Sequence, residues 1–179
     1  APKPAASADA SAAAVVLAFA LQRELEAGRP FAPEIAAFSR LATNPAPAPV
    51  LIELSEKGAP TGPALREAFL PISKKLRAQE SHHAESGALA EHLLQGASKL
   101  VKVRPTGEAL PETIDGKLDR ILAALAHNDF DAAASQFDSL PEAARAETGD
   151  FGARLNQRRE AAKAADELLS GSIAALGKK

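Results

Sequence analysis

The run ILAALAHNDFDAAASQFDSLP, residues 121–141, decides how this chain is read, because it holds two apolar stripes with a polar corner between them. Ahead of the corner, Ile114, Leu118, Ile121, Leu122 and Leu125 recur at steps of three and four, which lays one apolar stripe along a helix. Beyond it, Phe130, Ala133, Ala134, Phe137 and Leu140 do the same. Asp129 is placed to accept a hydrogen bond from a free N–H at the start of the second helix, and Pro141 closes that helix's pattern. The spacing therefore predicts a helical hairpin turning at Asn128-Asp129, with alanines that let the two axes approach closely, as in tetratricopeptide-like pairs. No second copy recurs at a fixed period, so a repeat array is not expected.

Composition sets the limits around this hairpin. The chain has 179 residues and a formal net charge of -2. Its 40 large apolar residues (Leu, Ile, Val, Phe) are outnumbered by 42 alanines, so the 46% hydrophobic content overstates the core it can build. Large apolar residues at about 22% lie close to the level below which disorder is expected, but near-neutral charge and alanine's helix propensity favour folded helices. The expectation is an all-α bundle of short amphipathic helices, with the hairpin toward its C-terminus and a long last helix. The net charge argues against a general nucleic-acid binder, and the absence of cysteine removes disulfides and thiolate metal sites without identifying a compartment. The absence of methionine, position 1 included, suggests a fragment or a processed form. Residues 12–21 form the longest apolar run, too short for the roughly 20 residues that span a bilayer; a buried helix fits it better than a signal peptide.

Along the chain, residues 1–10 are rich in Pro, Ala and Ser and read as a disordered linker. Residues 11–60 read as N-terminal helices. The first ends near Ala27 with Val15, Val16, Phe19 and Leu25 as its apolar positions, and Gly28 is placed for the left-handed turn after it. A second short helix carries Ile35, Phe38 and Leu41; a third carries Leu51, Ile52 and Leu54 and stops at Gly58. Thr61 should cap a helix with Leu65, Phe69, Ile72 and Leu76, which Pro71 should kink or divide. Residues 79–87 look polar and loose. The last helix, from Thr148, bears Phe151, Leu155, Leu168, Leu169, Ile173 and Leu176, a thin stripe suited to another chain or to the 114–140 hairpin.

Residues 61–104 form the basic part of an otherwise acidic chain, with 7 Lys/Arg against 4 Asp/Glu. Within them, 86–104 presents Leu89, Leu93, Leu94, Leu100 and Val101 on an apolar face and ends on Lys99, Lys102 and Arg104. Such a helix can lie in the interface of an anionic bilayer. Pattern alone favours an ordinary bundle helix whose terminal lysines suit the helix dipole.

Chemistry-bearing constellations are weak. His82, His83, Glu85 and His92 are read as solvated side chains rather than metal ligands, since adjacent histidines cannot share a helix face. His127 is read as a helix C-cap. Gly58 and Gly62 flank a loop without the Lys-Ser/Thr of a phosphate loop. No catalytic residue, metal site or cofactor is expected, and the chain is not read as an enzyme.

Five blocks in order, GRPFAPEI (28–35), KGAPTGPALREAF (57–69), VKVRP (101–105), NDFDAAA (128–134) and SLPEAA (139–144), resemble the C-terminal part of alphaproteobacterial mitofilin-like inner-membrane proteins. The resemblance covers about residues 11–176, and lacks the family's N-terminal anchor and long coiled coil. It implies a periplasmic, non-enzymatic role in shaping and tethering the bacterial inner membrane, organising invaginations and contact sites. By position it turns 61–104 into a candidate lipid-binding segment, with Lys74, Lys75, Arg77, Lys99, Lys102 and Arg104 meeting anionic headgroups and Leu89, Leu93, Leu94 and Leu100 inserting. Residues 105–179 become an assembly domain, with Leu122, Leu125, Phe130, Phe137, Phe151, Leu155, Leu168 and Leu169 as the oligomer or partner interface. The partners so implied are anionic lipids, further copies of the chain and outer-membrane barrel-assembly proteins. The competing expectation is a soluble tetratricopeptide-like adaptor that grips a protein partner without lipid contact.

Overall fold

The structure, a computed structural model, describes residues 5–41, 45–94 and 113–177, with side chains described throughout these except at 5–8 and 83–94. The described residues form eight helices and no strand: α1 (Ala5–Glu26), α2 (Ala32–Arg40), α3 (Pro49–Leu54), α4 (Gly62–Leu94), α5 (Ile114–Ala126), α6 (Phe130–Asp138), α7 (Glu142–Ala146) and α8 (Phe151–Leu176). The protein is thus an all-α helical bundle, with the expected hairpin in α5–α6 and a long last helix.

Helix ends follow local chemistry. After α1, the N–H of Arg29 reaches the carbonyl of Glu24 and that of Gly28 reaches Leu25, a Schellman ending with Gly28 at φ 70°. α5 ends the same way, Asp129 N–H on Ala124 and Asn128 N–H on Leu125, with Asn128 at φ 56° in the left-handed position and His127 at the C-cap. The Asp129 carboxylate accepts from Ala132 N at 2.9 Å and so starts α6, while Thr113 and Thr61 cap α5 and α4 through Gly116 N and Ala64 N.

Two compact units divide the chain, one from Ala1–Leu65 with Ala153–Lys179 and one from Arg66–Gly152. In the first, α1 contributes Ala14, Ala18, Leu21 and Leu25 to a buried cluster with Phe31, Phe38 and Leu51. α8 joins that same cluster through Ala161, Ala164, Ala165 and Leu168. From Ala161 onward α8 therefore packs with the N-terminal helices, because alanine-rich α1 presents a matching shallow face, while Phe151 at its start meets Phe137 of the hairpin, one of the two expected partners. In the second unit, α5 and α6 make the most extensive helix-to-helix approach, with Leu118, Ile121, Leu125, Ala133, Ala134 and Phe137 buried. Phe151 stacks on Phe69 (centroids 4.7 Å apart) and on Phe137 (5.7 Å).

Several local expectations give way. α1 opens at Ala5, inside the stretch read as a linker, since its alanines favour helix over the extended form that Pro2 and Pro4 suggest. Pro71 does not divide α4, which runs on to Leu94 through the segment read as loose. In α1 the buried stripe is Ala14, Ala18, Leu21 and Leu25, while Val16 and Phe19 are 67% and 62% exposed.

Candidate binding surfaces

Lys74, Lys75 and Arg77 sit within about one turn of α4, and the structure gives them different roles. Lys75 Nζ lies 2.5 Å from Glu147 Oε2, beyond α7, and this hydrogen bond holds the Glu147 carboxyl below its ordinary pKa. Arg77 bonds Asp119 at 2.6 Å and reaches Asp115 at 3.7 Å, both on α5. These two cations therefore tie α4 to its neighbours within the second unit. Lys74 is exposed and forms no ion pair among the described residues. Sequence spacing could not separate the three, because the acidic partners of Lys75 and Arg77 lie 38 to 72 positions away.

Leu89, Leu93 and Leu94 fall on the last turns of α4, where only the backbone is described; Lys99, Leu100, Lys102 and Arg104 lie outside the described residues. The residues expected at an oligomer interface are placed differently from that expectation. Leu125, Phe130, Phe137, Phe151, Leu155 and Leu168 are all buried within the chain itself, and Leu122 and Leu169 are half-buried. A surface built from these six would require core side chains to leave the core.

Among the described residues the large apolar side chains that face solvent are Val16, Phe19, Ile52, Ile173 and Leu176. All five belong to the unit made of Ala1–Leu65 and Ala153–Lys179. Spacing in α1 could have exposed the pair: residues 14, 18, 21 and 25 share one helix face, 16 and 19 the opposite one.

In the second unit a half-open, mainly apolar groove of about 440 Å³ runs beside Leu76 and Gln79 of α4, Ile114 of α5 and Pro141, Ala143 and Ala144 at α7. Glu147 lines it as well, so the Lys75–Glu147 pair sits on its wall. Among the described residues no three His, Cys, Asp or Glu side chains stand close enough to hold a metal ion, and no helix is long and apolar enough to cross a membrane. His82 is exposed. Comparison of the chain with family models, with curated proteins and with solved structures finds no match.

Proposed function

We propose that this chain is a non-enzymatic membrane-shaping and tethering domain of mitofilin type, which contacts anionic lipid through the distal part of α4 and the segment after it and assembles with further copies. The observation that carries the reading is α4 itself: one helix of 33 residues holds the stretch with Leu89, Leu93 and Leu94 in a single helical register, 13 to 18 positions beyond its buried Leu76. Leu89 and Leu93 are one turn apart and Leu94 follows, the spacing of an interfacial apolar stripe. Lys75 and Arg77 are occupied by Glu147 and Asp119, which leaves Lys74, Lys99, Lys102 and Arg104 as the headgroup contacts in this reading. Each cation near an anionic surface adds on the order of 1 kcal/mol, so binding should fall steeply with salt.

Flotation of the chain with anionic and with neutral liposomes tests the proposal. Binding to anionic vesicles alone, lost in a Leu93→Asp/Leu94→Asp variant that keeps its helical circular dichroism, is the expected result. Equal flotation of variant and wild type would remove the insertion face. The groove at Leu76, Ile114 and Pro141 favours the adaptor reading as the alternative, in which a protein partner's apolar segment fills it. That reading expects no flotation and a monomer in sedimentation.

A further inference from the structure

The loop between α3 and α4, which lacks the Lys-Ser/Thr of a phosphate loop, nevertheless borders a pocket of about 320 Å³ whose walls include Glu53, Lys57, Gly58, Pro60, Arg154 and Gln157. All six belong to the unit of Ala1–Leu65 and Ala153–Lys179. Lys57 and Arg154 are exposed, and neither forms an ion pair among the described residues. Arg154 also stands in the first turn of α8, where the helix dipole disfavours a cation, and that turn carries no acidic residue. Two cations thus face one cavity with a single carboxylate, Glu53, whose Oε1 already accepts from Gln157 Nε2 at 3.1 Å.

Backbone contacts fix the course of the wall. Gly58 has φ 77°, and a Cβ there would lie 2.5 Å from the Gly28 carbonyl oxygen, so the loop is pressed onto the turn after α1. Its own N–H bonds the Leu54 carbonyl at 2.8 Å, and Ser55 O accepts from Phe31 N at 2.8 Å. A cavity held open by backbone contacts, with two unneutralised cations, suits an oxyanion whose charge they share.

We propose that this pocket binds a small phosphate-bearing anion, its oxygens held by Lys57 and Arg154. Glu53 then repels a second anionic group and accepts a hydroxyl from the ligand, which points to a hydroxylated phosphate monoester, free in solution or as a lipid headgroup. The proposal stands apart from the lipid-inserting role of α4.

Titration of the full chain, followed by ¹⁵N NMR at constant ionic strength with chloride as control, tests it. The probes are inorganic phosphate, glycerol 3-phosphate and vesicles carrying phosphatidic acid. Expected is saturable movement of the Gly58 amide and the Gln157 side-chain amide, with a dissociation constant on the order of millimolar. A Lys57→Gln/Arg154→Gln variant should bind at least tenfold more weakly; Lys163→Gln, on the same helix, should bind as wild type. Saturation by the soluble ester places the source in solution, and a response to vesicles alone, lost in the double variant, places it on a headgroup. A non-saturating drift shared with chloride, or equal affinity in the double variant, overturns the proposal. Both changed side chains are exposed, and a thermal melt checks that the fold persists.

Discussion

Glu24 and Arg29 occupy the two positions of a Schellman turn that usually hold a pair of apolar side chains, and here they form a charged clasp over the end of α1. The hydrogen bond from Arg29, then that from Arg23, lowers the Glu24 pKa from 4.5 to about 2. Between those values the unfolded chain binds the proton and the folded chain does not, so stability rises with pH across that window. The contribution is complete above pH 4.5 and fades as pH falls through about 2. Urea midpoints measured from pH 5 to pH 2 should therefore fall less steeply for Glu24→Gln than for wild type; matching slopes would show that the clasp does not persist in solution. At this scale the sequence is readable wherever chemistry is local: Gly28, Asn128, Asp129 and Thr61 all act within five residues of themselves. Lys75 and Arg77 were not readable, because what neutralises them is brought near only by the packed unit.

Helices were legible as elements, and their faces less so. The α5–α6 hairpin combines large side chains at regular spacing with caps at both ends, so pattern and structure coincide. α1 misleads in its first half, because Ala14 and Ala18 and not Val16 or Phe19 continue the buried face of Leu21 and Leu25, and alanine carries little hydropathy contrast. α7, five residues long, is below the length at which periodicity speaks. Pro71 shows where a local rule loses to context: it removes one hydrogen bond, to the Glu67 carbonyl, while α4 keeps the remaining ones and buries Leu65, Phe69, Ser73 and Leu76 along one side. Pro71 is itself exposed. Replacing it with alanine restores the bond and removes the ring, offset by greater freedom of the unfolded chain, so Pro71→Ala should stabilise the protein by about 1–2 kcal/mol. A shift of the urea midpoint to higher concentration at unchanged slope is the expected readout. A loss of stability would instead mean that the ring sets a bend which the Phe69 stacking requires.

For the molecule as a whole, 40 large apolar residues must supply both cores, and among the described residues the second unit leaves no large apolar side chain more than half exposed, whereas the first leaves four, Val16, Phe19, Ile52 and Ile173. Assembly with further copies, as proposed, therefore has its available surface on the first unit. On α1 the exposed positions between Asp9 and Glu26 are Asp9, Ala12, Val16, Phe19, Arg23 and Glu26, a three-four alternation that forms a heptad seam. A parallel copy would set Asp9 on Asp9 and Arg23 on Arg23. An antiparallel copy centred on Val16 sets Arg23 opposite Asp9 of its mate and packs Phe19 against the small Ala12–Ala13 surface, so that orientation is favoured on both charge and size. Two large side chains per copy fall well short of the roughly 800 Å² per partner found in stable dimers, and the association should be weak and salt-sensitive. Sedimentation equilibrium across protein concentration should show self-association of wild type that a Val16→Ser/Phe19→Ser variant loses without unfolding, since neither residue belongs to the buried cluster. A Leu122→Ser/Leu169→Ser variant, altering half-buried positions first expected at the interface, should lower stability and leave the self-association constant unchanged. The reverse outcome would return the interface to the hairpin and α8, and a wild type that stays monomeric at high concentration would remove the seam altogether.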